Sequence, residues 1–386
     1  MRSSSTVWLT VAVGCSALLS GCGGKDSTGP VTPKAVAVVS GNGQTGPGGD
    51  DLPDSLRVVV TGSNNQPMAG VSVTWAAGGA TISPLTSTTD ANGQSAARLS
   101  LGAVGPVLVT ASVAGLASAT FTATAVDPCT WLHVFGVGQT VNGILRQYDC
   151  VSNLYFIDYY DLPVSGQQTL AVTMVSNTFD TWLDVWKLAG PYVGANDDDT
   201  LSTNSLFKVV AAGGEYVIGA NTYNAGDTGP YTLHATTTSP SEEHCEEVWL
   251  TRGVTMGQTL STTDCAATGP TYSDVFWLVL YFGESLDVTA TTTAFDGMLQ
   301  LYQLHRSNPP SLVASDDSVG GSIHLTYTAD SSKVYELVAT TMTPGGQGAY
   351  TLALAAPAAS AAVGTGPRML ASPGLFPKVP RRFLKR

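Results

Sequence analysis

Charge is scarce in this chain: only 12% of its 386 residues are Asp, Glu, Lys or Arg. Bases are scarcer than acids. Residues 22–355 hold 10 bases against 29 acids, so the body of the chain is a poor partner for nucleic acid. Histidine is rare too, and His133, His234, His244, His305 and His324 do not fall at metal-ligand spacing. Neither G-x-S-x-G nor H-E-x-x-H occurs, which removes the signatures of two large hydrolase classes. There is no close C-x-x-C pair of the kind a structural zinc site uses. The apolar run VWLTVAVGCSALL (7–19) is too short to span a bilayer comfortably but fits the core of a signal peptide. Past that run, no segment keeps a helical period.

What fills the chain instead is Thr, Val, Ala and Gly in short alternating runs. LRVVVTG (56–62), VSVTWAA (71–77) and VLVTASV (107–113) read as strands broken by Gly, Asn, Asp and Pro turns. The expected fold class is all-β, and the length calls for several tandem sandwiches. GGKDSTGPVTPK (23–34) lacks the apolar content of a core and reads as a flexible tether. Residues 356–386 carry six bases and no acids, interrupted by Pro and Gly, and read as a disordered basic tail that could touch anionic lipid or polysaccharide.

Six cysteines remain to be placed, and Cys15 leaves with the signal. Cys129 and Cys150 lie 21 residues apart, Cys245 and Cys265 lie 20 apart, in equivalent places. Four cysteines allow three pairings, and the equal loops argue for two local disulfides in an oxidising compartment, with zinc as the rival.

The apolar run ends in LSGC (19–22), which resembles the bacterial lipobox. The resemblance implies that residues 1–21 are removed and that Cys22 becomes the lipidated N-terminus. Each buried acyl methylene then contributes roughly 0.8 kcal/mol to a membrane-lipid anchor. Gly23, not Asp, follows the cysteine, which by the same resemblance favours the outer membrane of the cell envelope.

Residues 35–126 resemble a bacterial Ig-like domain of the invasin/intimin type. The resemblance rests on GNGQTG (41–46), QPMAGVSVTW (66–75), TTDANGQSAARLSLG (88–102) and GPVLVTASVAG (105–115). In TDANG (89–93), Asp90 and Asn92 can bond nearby backbone and Gly93 can take positive φ, so Asp90 reads as a turn residue and not a ligand. Such domains are spacers or presenters.

The remainder is written twice. Cys129 and Cys245, Asp158 and Asp274, Leu170 and Leu286, and Phe179 and Phe295 are each 116 residues apart. Asp198 and Asp317, Tyr231 and Tyr350, and Leu233 and Leu352 are 119 apart, so three residues enter the second copy near HRSNPP (305–310). The copies, 127–238 and 243–355, resemble the bacterial pre-peptidase C-terminal (PPC) domain, a jelly-roll-type β-sandwich. The shared marks are GQTVNGIL (138–145) against GQTLSTTDC (257–265), FDTWLDVW (179–186) against FDGMLQLY (295–302), and NDDD (196–199) against SDD (315–317). The second copy has ADSSKVYEL (329–337) where the first has the AGGEY run.

FDTWLDVW poses the functional question. Asp180 and Asp184 sit four apart on a strand and point to one face, with Leu183 and Val185 opposite. Glycosidic carboxylates must instead face each other across a cleft. The second copy has Asp296 but Gln300, so the pair is not duplicated. The chain also leaves no room beside these units for the protease domain that usually accompanies the PPC family, and the expectation is no enzyme. Calcium is a candidate cofactor, held by Asn196, Asp197, Asp198, Asp199, Asp316 and Asp317, whose hard oxygens suit it. SEEHCEE (241–247) adds acidic charge, although the spaced D-x-D-x-D-G pattern is missing and a solvated turn is the competing reading. In NLYFIDYYDL (153–162), Tyr155, Tyr159 and Tyr160 are candidates for stacking on sugar rings or binding peptide, against a core-strand reading. The expected function is a lipid-anchored, non-enzymatic envelope protein that adheres to an extracellular polysaccharide or protein. The alternatives are an envelope scaffold or stalk, or an accessory to an exported enzyme.

Overall fold

The computed structural model describes residues 30–152, 154–188, 190–197, 202–238, 248–266, 271–305, 309–317 and 321–356. Residues 1–29 with Cys22, Asp198, Asp199, SEEHCEE with Cys245, residues 306–308 of the insertion, and residues 357–386 lie outside that set. Among the described residues every regular element is a strand, apart from one 3-10 turn at Pro128–Thr130. The fold is a tandem of β-sandwiches, as the alternating runs predict.

The first sandwich opens at Pro33, so Pro33 and Lys34 of the expected tether already form strand. Lys34 is held there by the Asn65 side chain, whose Oδ1 accepts from Nζ at 2.7 Å. A four-stranded and a five-stranded sheet enclose the core. Leu56–Gly62 shows the mechanism in one strand: Leu56, Val58 and Val60 are buried while Arg57 is exposed. Trp75 lies beneath Phe121, with ring centroids 5.9 Å apart, and its indole N–H donates to Ser87 Oγ at 2.8 Å. The TDANG turn forms as expected. Asp90 Oδ1 accepts from the amides of Asn92 (2.8 Å) and Gln94 (2.9 Å), and Gly93 has φ +68°.

The repeated halves fold alike. In the first copy, Tyr155–Val164, Gly214–Thr222, Thr181–Lys187 and Tyr192–Asn196 form one sheet in that spatial order. Thr140–Leu145, Gly229–Thr237, Gln168–Val175 and Ser205–Ala211 form the other. The second copy repeats both orders with Tyr272–Leu280, Lys333–Thr341, Gly297–Gln303 and Ser311–Asp316, then Thr255–Leu260, Gly348–Leu354, Ser285–Thr291 and Ser322–Thr328. The repeat pairs Leu170 with Leu286 and Leu233 with Leu352, and all four are fully buried.

The copies are not beads on a string. Strand Val248–Leu250 pairs in parallel with Lys208–Val210 of the first copy and with Phe276 and Trp277 of the second. One ten-stranded sheet therefore runs through both. Its equivalent in the first copy, His133–Val134, pairs only with Tyr160 and Asp161. Trp249 drives the fusion. Its ring stacks on Phe207 at 5.8 Å and meets Trp277 edge-on at 5.4 Å, inside the first copy's core. Gly194 makes the space, because a Cβ there would lie 2.3 Å from the indole. In the second copy Ala314 holds that register position, so no such slot is left at the far end. Polar ties reinforce the seam. Tyr281 Oη accepts from the Tyr192 amide (2.8 Å), Thr251 Oγ1 accepts from the Ala212 amide (2.9 Å), and Gln167 bonds both backbone groups of Thr255.

Candidate functional site

Asp184 of FDTWLDVW is buried on the outer face of its sheet together with Trp182 and Trp186, while Leu183 and Val185 enter the core. The alternation is the one the sequence implies. Asp184 Oδ1 accepts from the Tyr192 hydroxyl at 2.7 Å and Oδ2 from Asn221 Nδ2 at 3.0 Å. Trp186 packs on Tyr192 (5.5 Å) and on Tyr159 (6.1 Å). Burial, then the Asp184 charge, pushes the Tyr192 phenol well up. In the second copy Gln300 Oε1 accepts from Tyr302 at 3.2 Å. In the first copy the position clasps neighbouring strands, whereas in the second the bond stays within the strand Gly297–Gln303.

A second, partly buried acid recurs in both copies, and sequence spacing alone gave it no role. The Tyr231 hydroxyl donates to Asp158 Oδ2 at 2.5 Å, and the Tyr350 hydroxyl donates to Asp274 Oδ2 at 2.7 Å. Each bond joins the two sheets of one sandwich. Burial pushes Asp158 well above the usual carboxylate range, with Asp149 adding to the rise and Tyr231 opposing it. Tyr231→Phe removes the donor and leaves a buried acceptor, a change that costs about 1–3 kcal/mol. Urea unfolding of the variant at neutral pH checks this, and Tyr350→Phe should lose a similar amount.

The candidate calcium ligands do not converge among the described residues. Asn196 is buried and its Oδ1 accepts from the Leu206 amide at 2.8 Å. Asp316 Oδ2 accepts from the His324 amide at 2.7 Å, and Asp317 is exposed. Asp197 is half-buried, and its carbonyl accepts from Ser205 Oγ at 3.4 Å. The Asn196 and Asp316 side-chain oxygens each tie a strand of one sheet to a strand of the other. No group of three or more His, Cys, Asp or Glu among the described residues could hold a metal ion.

The tyrosine candidates divide. Tyr159 and Tyr160 are buried, Tyr159 under Trp186 and Tyr160 against Phe135 and Tyr231, so neither can stack on a polymer. That part of the ligand-binding expectation is corrected: the strand faces two packed layers and leaves no aromatic row free. Tyr155 stays half-buried at the strand's start. Exposed instead are the flanking Tyr148 (63%), Val151 (52%) and Leu154 (72%). Leu154 sits at φ +74°, unusual for a branched side chain, and its carbonyl accepts from the Gly226 amide at 3.0 Å. Val151 and Leu154, the apolar tip of the hairpin, were missed because apolar residues flanking a strand read as its continuation. The hairpin is stapled to the start of the copy by the Cys129–Cys150 disulfide. Cys265 is disulfide-bonded as well.

A family model, the bacterial Ig-like domain (group 1), matches residues 39–126. No curated protein matches the chain. Among solved structures, the pre-peptidase C-terminal domain of a collagenase from Bacillus anthracis is similar at 15% identity. It covers 27% of this chain and 94% of that one, with a TM-score of 0.24. The D0–D1 domain of intimin is similar at 16% identity, covering 56% and 94%, with a TM-score of 0.21. Invasin, a bacterial integrin-binding protein, is similar at 14% identity, covering 79% of this chain and 56% of its own, with a TM-score of 0.20.

Proposed function

We propose that this chain is a lipid-anchored, non-enzymatic protein of the bacterial cell envelope that holds a rigid pair of sandwiches against an extracellular polymer or protein. The bacterial Ig-like unit at 39–126 supports the envelope setting and a spacer role. The observation that carries the binding role is the exposure of Val151 and Leu154 at the tip of a disulfide-stapled hairpin. Exposed apolar side chains on a stapled hairpin serve contact better than they serve the fold. Fusion through Val248–Leu250 sets the spacing of the two sandwiches, so any second contact adds at a fixed distance.

The test is sedimentation of the chain with collagen, cellulose, chitin and peptidoglycan, in calcium and in EDTA. Capture by at least one polymer is expected, reduced on the order of tenfold by Val151→Ser with Leu154→Ser, while thermal stability changes little because both positions are exposed. Capture that EDTA abolishes would restore the calcium reading through Asp197, Asp198 and Asp199. No capture in either condition would favour an envelope scaffold. Anchoring is tested separately: Cys22→Ser should abolish labelling by radioactive palmitate and release the chain from membranes.

A further inference from the structure

The Ig-like unit meets the first sandwich through one acidic cluster. Gly49, at φ +97°, passes so close to the loop at 146–149 that a Cβ there would lie 2.9 Å from Tyr148 Cβ and 3.6 Å from Asp149 Oδ1. The next residue reaches across. Asp50 Oδ1 accepts from Arg146 Nη1 at 2.7 Å, and its Oδ2 lies 3.6 Å from His133 Nε2. Asp149 closes the loop by accepting the Arg146 amide N–H. His133 packs on Tyr160 at 5.2 Å, and the Tyr160 hydroxyl lies 2.6 Å from that of Tyr231, the donor to Asp158. Asp50 thus takes the Arg146 guanidinium and Asp149 the backbone amide of the same residue. Asp51, beside them, accepts from the Ser100 hydroxyl.

The second copy provides a comparison inside the same chain. Asp264 takes the place of Asp149 and accepts the Ser261 amide at 2.6 Å. It remains half-buried, whereas Asp149 is only 5% exposed. The seated Ig-like unit accounts for the difference. We propose that this contact is a proton-operated joint: the Ig-like unit seats on the first sandwich while Asp149 retains a proton, and is released when Asp149 ionises beside Asp50.

The sign follows from burial. Burial raises Asp149 to about 7, the Arg146 amide opposes this, and the Asp50 charge adds to it. The seated state therefore holds a proton that a solvated loop would give up. Seating is fully favoured below the ordinary carboxylate range and is lost as pH rises through about 7. Asp50 is itself raised, by burial first, with His133 and Arg146 opposing and Asp51 adding. His133 acts the other way: burial lowers it, so the contribution of the neutral ring is lost as pH falls through its seated value, and Asp50 softens that loss. The phenols of Tyr160 and Tyr231, pushed up by burial, stay neutral throughout.

Small-angle X-ray scattering of the full chain between pH 5.5 and 8.5 tests the joint. The radius of gyration should increase reversibly with a midpoint near 7, and Asp149→Asn should hold the compact value at both ends. A radius independent of pH, or an unchanged transition in Asp149→Asn, would overturn the proposal. Hydrogen exchange in the native chain needs no variant. Corrected for intrinsic rate, protection at Gly49–Asp51 should fall across that range while protection at Ser261–Asp264 stays constant. Parallel behaviour of the two loops would also overturn it.

Discussion

Trp249→Ala should cost about 3–5 kcal/mol and divide one unfolding transition into two. The loss has two sources. The indole is 3% exposed and bridges Phe207 of one copy and Trp277 of the other, so truncation leaves a cavity shared by both. The strand that carries it, Val248–Leu250, is only three residues long, and without its anchor five ladder partners lose their neighbour. Among the described residues the indole N–H has no hydrogen-bond partner, and packing holds the ring. Trp249→Phe should accordingly retain most of the stability, and Gly194→Val should mimic the alanine variant by pushing the ring out of its slot. Urea unfolding followed by tryptophan fluorescence and by far-ultraviolet circular dichroism reads all three. Coincident curves for Trp249→Ala at unchanged midpoint would show that the seam contributes nothing.

Loss of the Cys129–Cys150 disulfide should cost about 3 kcal/mol, since a closed loop of this length removes roughly that much entropy from the unfolded chain. Cys129→Ala with Cys150→Ala avoids placing a hydroxyl at Cys150, which is buried. The effect should be local. The staple ties the 3-10 turn at Pro128–Thr130 to strand Cys150–Ser152, next to the apolar tip and to the Asp50–Arg146 contact. Amide exchange should therefore rise around Val151 and Phe156 while the second copy is unaffected. A thermal midpoint unchanged by the double substitution, under conditions where the native bond is intact, would contradict this.

Much of this fold was legible because its signals are periodic. Leu56, Val58 and Val60 alternate, and one repeat interval aligns Leu170 with Leu286, so both strand identity and duplication follow from spacing. TDANG was legible for a different reason, since its chemistry is local and complete within five residues. The seam was not. VWL at 248–250 looks like the start of a domain, and only the sheet shows that it belongs to two at once. Nor were the functions of the acids. Asp158, Asp184 and Asp149 look alike in sequence. Burial and their partners separate them: Tyr231 for Asp158, Tyr192 with Asn221 for Asp184, and the Arg146 amide under the Ig-like unit for Asp149. The tyrosines of NLYFIDYYDL were ambiguous because both faces of that strand are packed, leaving the exposed apolar surface to its flanks.

Native-state hydrogen exchange at the seam shows whether the two sandwiches open as one rigid body. The amides of Trp249 and Leu250 should open only with global unfolding, at the same free energy as Leu183 and Leu278 in the middle of the two copies. Exchange at those two positions on the scale of a fraying edge strand, while Leu183 and Leu278 stay protected, would show two domains merely tethered and would contradict the account.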